Sequence, residues 1–547
     1  MTGGEAGPTK WWGWGDPGRR LRLDPGAQSV LRSEVGPGEP VPPVRLEEVV
    51  VPEPRPLPDA IAEIVGRASI LDGHEQRVRR AAGRGYPDLI RLRAGRPGQA
   101  PDAVVLPGNA EEVAEVLETC LREGVAVVPF GGGTSVVGGV EPDDGGLGVL
   151  ITLDLRRLRG VEVDRQSLIA TLGPGLRGPE AENALRAEGL TLGHFPQSFE
   201  YASIGGFAAT RSAGQASSGL GRFDEMVTSV RLTTPIGELV TRETPHSAAG
   251  PALRELILGS EGALGVITEV SARVRPAPQT RRYEGWVAQG FEAGCEILRS
   301  LAQSDFVPAV VRLSDPEETS MSLAFSGQVG IRRAVLDAYL RLRRRAGGCM
   351  LILGWEGTRE EVERRRALAA RALHAGGAVP LGRGAGRAWE RTRYDGPYLR
   401  DELLDLGYMA ETLETAHSWS RLDELYAVVG TAIADELEVQ GTPGIVVCHV
   451  SHAYRDGASL YFTFIARRRT GAEIEQWHAV KSAACEAIVG AGGTITHHHA
   501  VGRDHAPYMV AEVGQPGVEA LTAIKERLDP AGIMNPGKLL PRLAASP

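Results

Sequence analysis

The apolar positions of this chain first become regular at residue 101. Ala103-Val104-Val105-Leu106 is an unbroken apolar run stopped by Pro107-Gly108, which predicts a short buried strand. Asn109 then offers an N-cap, with Glu112 three residues on as a capping-box partner. Val113, Val116, Leu117, Cys120 and Leu121 share one face of the helix that follows. Gly124 closes it, and Val125-Ala126-Val127-Val128 predicts a second strand. This β-α-β opening runs directly into Pro129-Phe130-Gly131-Gly132-Gly133-Thr134-Ser135-Val136-Val137-Gly138-Gly139. Glycines after a strand let backbone amides approach an anion. The loop is no dinucleotide fingerprint, because Val136 follows G131-x-G133-x-x, and no Lys-Ser/Thr follows Gly138 to make a Walker loop. Alone, such a turn is as often structural as functional.

Residues 1–60 are rich in Gly, Pro and charge, and enclose Lys10-Trp11-Trp12-Gly13-Trp14-Gly15, which reads as an arm packed on the body. Residues 59–97 look helical, and strand-like segments continue to about 280. From 281 to 480 strands alternate with arginine-rich helices, such as 331–346 and 359–375. Their charge reads as solvated faces, with anionic lipid head groups as the alternative. GIVVCHVSH (444–452) and LYFTFI (460–465) predict two strands, with Arg455-Asp456-Gly457 at the turn. Tyr461 and Thr463 then share one face, and Leu460, Phe462 and Phe464 the other. Tyr461 can serve a site or be an ordinary strand tyrosine. His497-His498-His499 stand together within folded-looking sequence. If Thr494–His499 is extended, His497 and His499 point one way and His498 the other. Structural packing, a ligand pair and acid–base work all stay open, although no HExxH or CxxC spacing supports a metal.

Composition narrows the classes. A chain of 547 residues holds two or three cores, and a net charge of -9 argues against nucleic-acid binding. The five cysteines form no CxxC pair, and no apolar run reaches membrane-spanning length. A cytoplasmic protein is expected.

Three further segments join the glycine loop: Pro196-Gln197-Ser198 through Ala202-Ser203-Ile204-Gly205-Gly206, then Ala209-Thr210-Arg211-Ser212-Ala213-Gly214, then Gly259-Ser260-Glu261-Gly262-Ala263-Leu264-Gly265-Val266-Ile267. Together they resemble the FAD-binding (PCMH-type) domain of the vanillyl-alcohol oxidase superfamily. The resemblance implies that Pro129, Gly131, Gly132, Gly133, Thr134, Ser135, Val136 and Val137 hold the pyrophosphate. Gln197, Ser198, Ser203–Gly206, Thr210–Ala213 and Glu261–Ile267 would line the rest of the cofactor. The loop carries no His or Cys where some relatives attach flavin covalently, so non-covalent FAD is expected.

The Trp arm, Pro397-Tyr398-Leu399-Arg400-Asp401, ETLETAHSW (411–419), Gly457–Phe462 and the triple histidine occur in an order similar to the alkylglycerone-phosphate synthases, also called alkyl-dihydroxyacetone-phosphate synthases. That resemblance implies exchange of the acyl chain of 1-acyl-dihydroxyacetone phosphate for a long-chain fatty alcohol, through an adduct at flavin N5. It makes Tyr461 the acid–base residue, assisted by His497, His498 and His499, with Arg400 stabilising anionic substrate or flavin and Arg312 supporting the site. Arg503 stands where the family usually has lysine, and is expected to bind the substrate phosphate. The metal-binding motifs of related 2-hydroxy-acid dehydrogenases are altered here. Tyr461 stands about where a ligand histidine would be, and His498 where a glutamate would be, so no metal is expected. The competing reading is a metal-independent FAD oxidase or dehydrogenase of a 2-hydroxy acid or specialised metabolite. Ala500 departs from the family's glycine. Peripheral membrane contact and a homodimer are the assemblies to look for. The expected fold class is α+β: a helical arm over 1–95, a two-subdomain FAD-binding domain over 96–280, a cap with an antiparallel sheet over 281–505, and a segment over 506–547 returning to the FAD domain.

Overall fold

The computed structural model describes residues 9–325 and 331–541 of the chain. The β-α-β opening forms as the apolar pattern predicts. Ala103–Val105 and Ala126–Phe130 each lie parallel to Leu150–Asp154, and Ile70–Leu71 adds an antiparallel edge. Helix Ala110–Glu123 buries Val113, Val116, Leu117 and Cys120 in the same core as Val105, Val127 and Ile151. Asn109 Oδ1 accepts the Glu112 amide at 2.7 Å. The Glu112 carboxylate reaches past the cap residue to the Gly108 amide at 2.7 Å, so the predicted capping box closes one residue early. Gly124 ends the helix at φ 67, donating to Cys120 O.

The second sheet has five strands in the spatial order Val161–Asp164, Ile169–Leu172, Val266–Arg273, Val227–Thr234, Gly237–Val240, all pairs antiparallel. Helices Gly178–Ala187 and Ile204–Ala209 cover it through Ala181, Leu185, Ile204 and Phe207. The chain's end returns here: Met534 bridges Val127, and Asn535 Nδ2 donates to Gly139 O and Glu261 O.

The third sheet is wholly antiparallel and seven-stranded. Its order is Val379–Gly382, Thr280–Ala288, Cys349–Gly357, Val310–Ser314, Ile445–Ala453, Gly457–Arg467, Tyr408–Ser418. One face is dry. Leu460, Phe462 and Phe464 pack there with Val429, Ile433, Trp477 and Val480 from helices Leu422–Val439 and Glu473–Gly490. Each such buried side chain contributes roughly 1.5–3 kcal/mol. The opposite face is left for polar residues. It meets the domain of the glycine loop where His452 Nε2 lies 3.0 Å from Gly214 O and the Ala453 amide donates to Ser218 Oγ at 3.0 Å.

The arm packs as expected for its tryptophans, with Trp11 and Trp14 buried. Asp401 anchors it, accepting Lys10 Nζ at 3.0 Å and the Trp14 amide at 2.8 Å. Asp401 follows Arg400 on helix Gly396–Asp405, so the arm braces that helix. Gly15 (φ +65) is required here, because a Cβ would lie 2.3 Å from the Tyr398 hydroxyl. Among the described residues no helix is long and apolar enough to cross a membrane.

Candidate active site

Strand register assembles the centre of the site. Tyr461 pairs with Glu414 on one neighbouring strand and with His449 on the other, so the three side chains form one row on the polar face. The Ile445–Ala453 strand then departs from regular register. Val450 pairs with Leu460, but His452 pairs with Ser459, leaving Ser451 as a bulge. In an unbroken strand His449 and His452 would point to opposite faces. The extra residue brings His452 to the face of His449 and Tyr461.

Glu414 also determines the shape of the histidine triplet. Its side chain has 0% exposure. Oε2 accepts the His497 amide at 2.5 Å, and Oε1 accepts the His498 and His499 amides at 3.0 and 2.7 Å, together with Thr496 Oγ1 at 2.7 Å. Three consecutive amides converging on one carboxylate cannot belong to an extended chain, where successive N–H groups point to opposite sides. The extended reading of Thr494–His499 is therefore corrected: the segment is a bend. Its rings lie side by side, with centroids 5.2 Å apart for His497–His498 and 4.8 Å for His498–His499. The bend ends at Ala500, which takes φ 76. This is the left-handed region that favours glycine.

The rings enclose Tyr461. His449 stacks on it, His498 lies nearly parallel at 6.0 Å, and His499 approaches edge-on at 5.5 Å. A hydrogen-bonded line leads away from them: His498 Nδ1 to His497 Nδ1 at 3.0 Å, then His497 Nε2 to the Tyr454 hydroxyl at 2.8 Å. Arg312 donates to Glu318 at 2.8 Å and reaches His449 Nδ1 at 3.1 Å, which itself faces Glu318 at 3.0 Å. Arg312 thus holds the ring behind Tyr461. Arg400 has a buried Nε with no partner, and its positive charge acts on both Tyr461 and His499.

Burial sets the protonation of this cluster. It pushes His498 down to about 4 and His452 down to about 3, and lowers His497, His499 and His449. It pushes the Tyr461 phenol up to about 12. Burial also opposes ionisation of Glu414, but the attraction of the histidines in their protonated form and the hydrogen bond from the His498 amide outweigh it and hold the carboxyl well below the usual range. At neutral pH the site is one carboxylate ringed by neutral imidazoles and a neutral phenol.

Ligand atoms of His452, His497 and His498 all lie within 4.8 Å of one another. A zinc ion with bonds of about 2.1 Å spans at most about 4.2 Å between two ligands. The facing nitrogens of His497 and His498 are hydrogen-bonded, and those of His452 are engaged by Gly214 O and by the Ser451 and Ser459 hydroxyls. The group is built as a hydrogen-bond network.

The glycine loop fits a diphosphate. A Cβ on Gly131 would lie 2.1 Å from Ser203 Oγ, and one on Gly132 2.1 Å from Tyr201 O, so the bare loop lies against segment 201–203. Among the described residues, the amides of Gly132 through Val136 donate to no protein group, as an anion nest requires. Ser203 caps its helix through the Gly206 amide, and Ser212 meets His194 Nε2 at 3.1 Å. Gln197 is exposed. Two side chains in these segments serve the protein instead. Arg211 engages Leu258 O and Asp224, and Glu261 accepts the Val501 and Gly502 amides at 2.8 Å each. That last pair ties the domain of the glycine loop to the turn after the histidines. Arg503 is not brought to the cluster. Its side chain is 57% exposed and pairs with Glu141 at 3.0 Å, because a carboxylate lies nearer than the site. Glu414, His452, Tyr454 and His194 belong to the assembly and were not singled out by sequence. The charged residue inside the strand text ETLETAH was the available signal for Glu414.

Residues 101–242 match the FAD binding domain family, and residues 277–539 match the FAD linked oxidases, C-terminal domain family. The chain is 32% identical over 572 residues to an alkyldihydroxyacetonephosphate synthase of Dictyostelium discoideum, covering 98% of this chain and 94% of that one. A synthase of the same name from Trypanosoma brucei brucei is 31% identical over 566 residues, covering 97% and 92%. A solved alkyldihydroxyacetonephosphate synthase structure superposes with TM-score 0.84 at 30% identity, over 97% of this chain and 98% of that one.

Proposed function

The chain belongs to the alkyldihydroxyacetonephosphate synthases, and from that premise we propose that it exchanges the acyl chain of 1-acyl-dihydroxyacetone phosphate for a long-chain fatty alcohol, making an ether lipid precursor. FAD is its cofactor, held in this reading without a covalent link. When bound, the flavin supplies an electron sink for the substrate carbon next to the ketone.

The observation that carries the reading is the neutral phenol of Tyr461 enclosed by neutral imidazoles over one ionised carboxylate. Exchanging carboxylate for alkoxide needs a proton removed at carbon and returned later, with no net redox change. Tyr461 is the group assigned to that proton: its phenol passes its own proton to His498 or His499 as it takes up the carbon's, the reverse transfer returns it, and His497 links them to Tyr454. The buried Nε of Arg400, which has no partner, is the donor assigned to the substrate's phosphate or departing carboxylate. Arg312 acts through Glu318 and His449. The pairing of Arg503 with Glu141 removes the support for its phosphate role.

The test is incubation of the FAD-loaded protein with palmitoyl-dihydroxyacetone phosphate and labelled hexadecanol. Labelled ether is expected, and its absence with flavin bound overturns the reading. Peripheral membrane contact is supported by helix Ile331–Leu342, where Leu342 (82% exposed) and Val335 (63%) stand out near the exposed Arg341, Arg343 and Arg344. Leu342→Glu is expected to reduce flotation with anionic vesicles without changing activity on dispersed substrate.

A further inference from the structure

Among the described residues, Glu414 is a fully buried charge of the polar face that no lysine or arginine answers. Its side chain has 0% exposure, and among the described residues no lysine or arginine lies within ion-pair distance of it. Such a group is ordinarily costly to bury. Four donors offset that here: the amides of His497, His498 and His499 and the hydroxyl of Thr496. They lie 82–85 residues away in sequence, so the carboxylate does no local work for its own strand.

Two consequences follow from the geometry. The bend of 497–499 exists because three amides share this acceptor, and the bend turns the rings of His498 and His499 toward Tyr461. The same oxygens lie 3.6 Å from His498 Nδ1 and 3.7 Å from His499 Nδ1. Those separations are too long for hydrogen bonds yet short enough for the charge to favour an imidazolium. The register completes the picture, since Glu414 stands directly opposite Tyr461.

We infer that Glu414 is a positioning residue of this site, whose ionised carboxylate clamps the histidine triplet around Tyr461 and supplies the negative charge that lets those imidazoles take up a proton. The inference rests on the synthase reading for its rate measurement, but not for its titration. Other titratable and charged groups face the cluster from every side. They are His449, His452 and Tyr454 from the paired strand and its turn, Arg222 from the domain of the glycine loop, Arg400 from the helix braced by the arm, and Lys481 and His505 behind His499. None of these is altered in the variants below.

The experiment compares FAD-loaded wild type, Glu414→Gln and Glu414→Asp at matched flavin content. Glu414→Gln keeps the size but loses the charge. It is expected to lower kcat by about 100-fold while KM for the acyl ketone changes little. It should also move the acid limb of kcat about one unit to lower pH, because the imidazolium loses its stabilising charge. Glu414→Asp keeps the charge and should return the limb to its wild-type position even where the rate stays low. Independently of any turnover, 15N-histidine spectra of the same proteins should show His498 and His499 titrating at lower pH in Glu414→Gln than in Glu414→Asp. Wild-type ether formation failing while this titration difference holds removes the synthase reading and leaves the Glu414 inference standing. Identical histidine titrations in both variants, or a Glu414→Gln enzyme with wild-type kcat and pH limb, overturns it. If Glu414→Gln does not retain flavin, the Glu414→Asp and wild-type titrations decide: a wild-type-like titration in Glu414→Asp supports the charge role, and a shifted one overturns it.

Discussion

His449 stacks on Tyr461 with ring centroids 4.9 Å apart and planes 24° from parallel. The two residues are register partners on adjacent strands, so the contact is built by the sheet itself. The phenol therefore keeps one orientation before substrate arrives, which is the condition for proton transfer at a defined carbon. Removing only the hydroxyl leaves that stack intact. Tyr461→Phe is expected to keep flavin content and melting temperature and to lower ether formation by about 100- to 10,000-fold, measured with labelled alcohol.

Flavin retention depends on the absence of side chains in the glycine loop. A Cβ at residue 132 would lie 2.1 Å from the Tyr201 carbonyl, which is backbone and cannot swing aside. Gly132→Ala should purify with little bound FAD, read from absorbance near the flavin bands, while far-ultraviolet dichroism stays native.

Ala500 holds φ 76 directly after the triplet. A left-handed alanine costs about 1 kcal/mol that glycine does not. Ala500→Gly is expected to gain stability of that order, net of the greater freedom glycine has when unfolded, in urea unfolding of the FAD-loaded protein.

The buried titratable groups oppose one another in pH dependence. Burial lowers His194, His452 and His505 to about 3 and His498 to about 4. Their folded values lie below the unfolded ones, so the unfolded chain takes up protons first and stability is lost as pH falls below the ordinary histidine value. Burial raises Glu261 and Asp504 to about 7, the former against the pull of the Val501 and Gly502 amides. These carboxyls stabilise the fold while both states are protonated, and that contribution is lost as pH rises from the ordinary carboxyl value to about 7. Stability should therefore rise from pH 5 to about 6.5, where the histidine contributions outnumber the carboxyl ones, and level off above about pH 7, at about 1.4 kcal/mol per pH unit for each differing proton. Urea midpoints from pH 5 to 8.5 check this, and a flat profile contradicts it.

The arm's salt bridge is testable by cycle. Lys10 and Asp401 are both buried, so Asp401→Asn strands a charge and should destabilise by about 3–5 kcal/mol. Because Asp401 adjoins Arg400, the same change should raise KM for the anionic substrate. Lys10→Met with Asp401→Leu is expected to recover much of the stability.

Local chemistry was legible in the sequence, and long-range capture was not. The helix after Asn109, its Gly124 stop and the split of Tyr461 from Phe462 and Phe464 all follow from spacing within a few residues. The flavin segments and cap motifs were legible only as a set, through family resemblance. The bend of the triplet is not legible in its own segment, because the acceptor that bends it, Glu414, lies on another strand. His452 was missed for a similar reason. Nothing in HVSHAYRDG announces that Ser451 will bulge, and without the bulge His452 belongs to the other face. Arg503 was judged by its residue type, and Glu141 decided its partner.

The bulge at Ser451 means that the Ile445–Ala453 strand is in two phases, one before it and one after. Pairing Ser451 with Ser459 instead would make the ladder regular, and would set His452 opposite Ala458, on the face away from the histidine cluster. The irregularity in this strand is thus the feature least open to idealisation, and a redesign that smoothed the sheet for stability would dismantle the site while leaving the fold unchanged.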